Sequence, residues 1–190
     1  MLASITVVSI LALLMAAPLK RIMSRAKSTK CLANLRQMGN AALQYANDNQ
    51  GNLPPAYLDK SPNGSWVFYR LLNQYLGPFD ENTDLSKYPK VYRCPEDPAP
   101  FLSGTASYAA NQCCGKSGVS SGNIFDPNLL RSKIILFVDA TRASLRPGWG
   151  GAYEDPAFRH DGTCNAIMMD GSAVKSFKKG SEDLPKSWGL

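Results

Sequence analysis

Residues 1–19 carry no charged side chain, and the six bases that follow, from Lys20 to Arg36, meet no acid until Asp48. A 19-residue uncharged, mainly apolar run is about 28 Å long as a helix, close to the thickness of a bilayer's hydrocarbon core. The bases follow the run instead of preceding it, and no small-x-small site closes it, which argues against a cleaved secretory signal. The expectation is an anchor helix at 1–19, with Pro18 kinking or weakening it near its end. Beyond it Ala26, Cys31, Leu32, Leu35, Met38, Ala42, Leu43 and Tyr45 recur largely at spacings of three and four. That is the stripe of an amphipathic helix, expected to stop near Asn47, where Asn-Asp-Asn-Gln-Gly supplies breakers. Three segments result: an apolar helix over 1–19, an amphipathic stalk over 20–50 and a head over 51–190.

The same division explains the net charge of +6. Residues 1–50 contribute +5 and residues 51–190 only +1. The head has no basic stripe with interleaved aromatics, so no nucleic-acid partner is expected. The basic collar suits anionic lipid headgroups. The cysteines, Cys31, Cys94, Cys113, Cys114 and Cys164, are odd in number and too few for a disulfide-built scaffold. A bridge from Cys31 to Cys94 would join stalk to head. Zinc at Cys113-Cys114 with Cys94, Cys164 and His160 is disfavoured, because the spacings match no ribbon or finger.

In the head, residues 65–76 read as a short helix ending before Gly77-Pro78. Residues 77–100 and 111–128 read as loops. Residues 134–138 form an apolar run suited to a buried strand. Residues 165–169 and 172–177 read as a hairpin joined by Asp170-Gly171. The fold class is α+β: a long N-terminal helix packed on a small antiparallel sheet with irregular loop insertions.

Ordered pieces of the chain resemble a known family. Residues 5–55 look like the N-terminal helix of type IV pilins and type II secretion pseudopilins. They are most similar to the prepilin-like proteins of planctomycetes and verrucomicrobia, through Cys31, Asn34-Leu35-Arg36-Gln37 and Tyr45-Ala46-Asn47-Asp48-Asn49. Cys94-Pro95-Glu96-Asp97, Ser107-Tyr108-Ala109-Ala110-Asn111 and the segment ending at Asp139 are similar to that family's later motifs. So is His160 followed after nine residues by Asp170-Gly171. The resemblance implies a pilin-like fold and a methylated prepilin, a structural subunit of a pilus or secretion pseudopilus. Its partners would be other subunits, the assembly machinery and the bacterial inner membrane. It would cross that membrane once, with its head in the periplasm or outside the cell. Ile5, Val8, Leu11 and Met15 would make the helix–helix contacts. The family's basic leader and fifth-position Glu are not in the sequence. A start upstream of Met1 is expected to supply them.

Cys31, Cys94, Asn111, Asp139, His160, Asp170 and Gly171 are expected to be structural. The sole histidine, His160, is expected to orient a loop by hydrogen bonds. No enzymatic activity is expected and no cofactor. Calcium, which some pseudopilins hold in a C-terminal loop, would find oxygen ligands in Asp155, Asp161 and Asp170, but without EF-hand spacing. Two alternatives are an anchored binding module for glycan or calcium and a tethered hydrolase. The second would use His160 or Ser120, the latter within a Gly-x-Ser-x-Gly match that lies in polar loop sequence.

Overall fold

The computed structural model describes residues 2–55, 68–77, 90–98, 107–111, 115–116, 119–121, 134–141, 144–145 and 156–178. The first element, α1, runs from Leu2 to Asp48. Its second half docks through one face. Cys31, Leu35, Met38, Ala42 and Ala46 are all fully buried, while Arg36, Gln37 and Asn40 face out. Spacings of four and three keep such a set on one side of a 3.6-residue helix. Ala26, expected on this stripe, is exposed, so docking starts about a turn later. The helix stops where the breakers predict. Gln50 and Gly51 turn to φ 57° and 81°, and the Gly51 amide donates back to the Ala46 carbonyl at 2.7 Å. This satisfies a carbonyl the helix end would otherwise orphan.

Bases recur from Lys20 onward, and among the described residues no helix is long and apolar enough to cross a membrane. The expected transmembrane helix, the single-pass inner-membrane location and the membrane partner are therefore corrected. Leu19, Ile22 and Met23 are exposed on α1. The side chains of Ile5, Val8, Leu11 and Met15 lie outside the described residues.

A second helix, α2, spans Phe68–Leu76. The strands are β1 (Tyr108–Asn111), β2 (Gly115–Lys116), β3 (Val119–Ser121), β4 (Ile135–Asp139), β5 (Ser144–Leu145), β6 (Thr163–Met168) and β7 (Ala173–Lys178). The main sheet has the order β5-β1-β4-β6-β7, with β1-β4-β6-β7 antiparallel as expected. β5 adds a parallel edge to β1. β2 and β3 pair separately. Leu35, Met38, Leu72, Leu136 and Phe137 belong to the core between the helices and the sheet. Ile135, Val138, Cys164 and Met168 belong to a second cluster. Every residue of β4 is buried, which accounts for its continuous apolar sequence.

The β6–β7 turn differs in type from the expected two-residue loop. Met168 pairs with Ser172 through its amide (2.9 Å), Gly171 donates to the Met168 carbonyl (3.0 Å), and only Gly171 takes positive φ, 79°. It is a three-residue loop closed by a left-handed glycine. Asp170 accepts the Ser172 amide at 2.8 Å and lies exposed. A two-residue turn of the expected kind sits nine residues earlier. Asp161 and Gly162 both have positive φ, 51° and 77°, and His160 and Thr163 exchange amide–carbonyl bonds of 3.1 and 3.0 Å across them.

Candidate metal centre

That early turn fixes His160. Its main chain is pinned to Thr163 on both sides, the Thr163 hydroxyl also bonds to the His160 carbonyl, and the imidazole points inward, 3% exposed. Cys31 heads the buried stripe of α1. Asp139 ends β4 where the Ala157 amide donates to its carbonyl at 2.8 Å. Cys94 opens a turn closed by the Asp97 amide on the Cys94 carbonyl (3.0 Å). Pro95 takes the second turn position, where its fixed φ fits. The turn is held from behind. Asn34 donates to the Arg93 carbonyl at 2.9 Å, and Arg159 reaches Asp97 at 3.2 Å while donating to the Ala140 and Ser107 carbonyls.

These four segments bring one ligand atom each from Cys31, Cys94, Asp139 and His160 within 4.8 Å of one another, all buried. The Cys31 thiol lies 2.9 and 3.1 Å from the two Asp139 oxygens. His160 Nε2 is 3.2 Å from Asp139 Oδ2 and 3.5 Å from Cys94 Sγ. A tetrahedral zinc with ~2.3 Å bonds to sulfur and ~2.0 Å bonds to nitrogen and oxygen separates sulfur from nitrogen by about 3.5 Å and nitrogen from oxygen by about 3.3 Å. The histidine distances match that shell. The Cys31–Asp139 pair is tighter, as suits a thiol proton shared with a carboxylate.

Without a cation the charges are crowded. Burial, the neighbouring Cys94 sulfur and the Asp139 carboxylate push the Cys31 thiol up, so it keeps its proton. The hydrogen bond from Cys31 draws Cys94 down to about 6, against burial and with help from His160. Burial pulls His160 down, but the hydrogen bonds to Asp139 and Cys94 outweigh it and raise the imidazole to about 10. A thiol held up, a thiol drawn down and a raised imidazole thus meet beside the Asp139 side chain at a point nearly closed to water. A divalent cation placed among them would neutralise both sulfurs as thiolates and leave the imidazole neutral.

The surrounding shell fits that use. His160 Nδ1 lies 2.7 Å from Glu96 Oε2, an ion-pair distance, and among the described residues neither atom makes a well-aligned hydrogen bond. A carboxylate on the far nitrogen of a ligating histidine fixes the tautomer and ring orientation and raises ligand basicity. Asp139 Oδ2 also accepts the Asn165 amide at 3.0 Å. Glu96→Ala should weaken zinc binding by about 10–100-fold, the usual effect of losing such a partner. Glu96→Gln, which keeps an acceptor oxygen, should cost less. Competition against a chromophoric chelator measures both.

The other predicted residues fall elsewhere. Asn111 is buried in β1, where its side chain donates to the Ile135 carbonyl at 2.9 Å. Cys164 is buried in the second cluster, its thiol pushed up to about 12 by burial. Cys31, Cys94 and Cys164 are all unbridged. Asp155, Cys113 and Cys114 lie outside the described residues. Asp161 and Asp170 sit exposed on separate turns. Ser120 lies within β3, not at the strand-to-helix turn that a nucleophile elbow requires.

The fold and the site define an α+β domain with a buried cluster of two cysteines, a histidine and an aspartate. No family model, curated protein or solved structure matches the chain. The resemblance to pilins and pseudopilins is corrected accordingly. Cys31, Cys94, Asp139 and His160, which helped to carry it, have a common explanation in one ligand cluster. The filament-subunit function and its subunit and assembly-machinery partners are corrected with it. So are the expectations of no cofactor and of calcium: thiols and imidazole select transition metals, whereas calcium takes oxygen. The expectation of no enzymatic activity is corrected too, since these ligand types serve catalytic as well as structural metal centres.

Proposed function

We propose that the chain is a transition-metal-binding domain in which Cys31, Cys94, Asp139 and His160 hold one zinc ion. The observation that carries this reading is the convergence of four buried ligand atoms from four separate segments, with Glu96 on the free nitrogen of the histidine. Two sulfurs, one nitrogen and one oxygen complete a tetrahedron, and zinc favours that geometry and that ligand mixture. In this state the metal joins α1 to the sheet and to both turns.

A second reading is a hydrolytic centre. The Asn165 amide on Asp139 Oδ2 supports it, because that carboxylate has a partner to retain if it leaves the metal. Two cysteines and a histidine would then hold the ion with one position open to water, a ligand set known in catalytic zinc sites.

The deciding experiment is anaerobic titration of the reduced, metal-free full chain with zinc, then with cobalt. One tight zinc per chain supports the metal reading. Cobalt d–d bands of four-coordinate intensity, unchanged by added anions, support the closed site. Weaker bands that respond to anions support the open one. A chain that takes up no zinc sinks both.

A further inference from the structure

We propose that this centre is controlled by thiol oxidation: a hydroperoxide joins Cys31 and Cys94 in a disulfide and thereby releases the metal. The proposal rests on the metal reading above and adds its regulation. Both cysteines are unbridged, and their sulfurs lie within 4.8 Å of each other. They stand 63 residues apart in sequence, on α1 and on the 94–97 turn. Their pairing would therefore replace a metal crosslink between these segments with a covalent one.

The surroundings favour the pairing over harsher oxidation. Cys31 is fully buried in the packed face of α1, whereas Cys94 is flanked by the exposed Arg93 and Pro95. A small peroxide therefore has its shortest approach at Cys94, and closing the remaining gap requires the 94–97 turn, held by Asn34 and Arg159, and α1 to shift toward each other. Cys31 is the only other cysteine in the four-ligand cluster, so it is placed to capture an oxidised Cys94 before a second peroxide arrives. His160 is not left loose when the metal departs. Glu96 stays on one ring nitrogen at 2.7 Å and Asp139 on the other at 3.2 Å.

The step balances. The Cys94 thiolate attacks the peroxide, breaking the O–O bond; it becomes a sulfenic acid, and the departing hydroxide takes a proton to form water. The Cys31 thiolate then attacks the Cys94 sulfur, forming the S–S bond and expelling the second hydroxide, which is likewise protonated to water. The two sulfurs lose two electrons, the peroxide gains them, and zinc(II) leaves without changing its oxidation state. A thiol reductant and free zinc reverse the process.

The test uses the full chain, first loaded with zinc alone under reducing conditions and then freed of reductant. Hydrogen peroxide is titrated in while a chromophoric chelator reports released zinc and peptide mass mapping identifies disulfides. The expected result is one zinc released for each Cys31–Cys94 disulfide, with uptake restored by dithiothreitol. Zinc release with sulfinic or sulfonic acid on either cysteine, with bridges to Cys113, Cys114 or Cys164 instead, or no release at all would overturn the proposal. If the loading step shows no zinc, the metal reading fails and the release falls with it. A parallel oxidation of the metal-free chain then shows whether Cys31 and Cys94 pair at all, so the two failures are told apart.

Discussion

Chelating the metal from the zinc-loaded chain should lower its melting temperature by about 8–16 °C. A ligand held at about a thousand times its dissociation constant adds about 4 kcal/mol to the folded state. For a chain of this size each kcal/mol shifts the midpoint by about 2–4 °C. The effect is this large because the ion ties together segments that otherwise meet over buried polar atoms. Cys31 lies on α1, Cys94 on a turn, Asp139 at the end of β4 and His160 on the Asp161-Gly162 turn. Removing the ion leaves a carboxylate, two sulfurs and an imidazole to share protons in a site no more than 3% exposed at Asp139, Cys31, Cys94 and His160. Calorimetry with and without a strong chelator, at fixed zinc, measures the shift. Superimposable melts would mean that the cluster binds nothing of consequence.

Cys94→Ala should weaken zinc binding by roughly 60–700-fold. Structural zinc sites bind with about 10–16 kcal/mol in all, so one of four ligands accounts for about 2.5–4 kcal/mol. Cys164→Ala is the comparison, because Cys164 is equally buried but belongs to the second apolar cluster. It should cost about 1 kcal/mol of stability through a small cavity and leave zinc affinity unchanged. The contrast separates ligation from core packing, since both substitutions remove a buried sulfur. Equal losses of affinity in the two variants would show that the effect runs through the fold and not through the metal.

The features legible in the sequence are those built from local repetition. The stripe through Cys31, Leu35, Met38 and Ala42 announced the docked helix face, and Asn47 to Gly51 announced its end. The apolar run at 134–138 announced a buried strand, and β6 and β7 form the expected hairpin. The ligand cluster has no such local signal. Its members are separated by 63, 45 and 21 residues, so no short cysteine or histidine spacing marks them. Only the antiparallel sheet and the docking of α1 bring them together. The adjacent pair Cys113-Cys114 is the more conspicuous motif, and it lies outside the described residues.

Both Asp161-Gly162 and Asp170-Gly171 have the composition of a hairpin turn. The two-residue form occurs at the first, directly after the histidine. An Asp-Gly turn beside the only histidine orients that side chain rigidly, which is what a metal ligand requires. The Cys-Pro-Glu-Asp turn did the same for Cys94 and, in the same stroke, set Glu96 against His160.

The central claim is tested most directly by X-ray absorption at the zinc edge of the loaded, reduced chain. Two sulfurs at about 2.3 Å and two nitrogen or oxygen atoms at about 2.0 Å are predicted. A first shell of nitrogen and oxygen alone, or one of six ligands, would contradict it, for the zinc would then lie somewhere other than between Cys31, Cys94, Asp139 and His160.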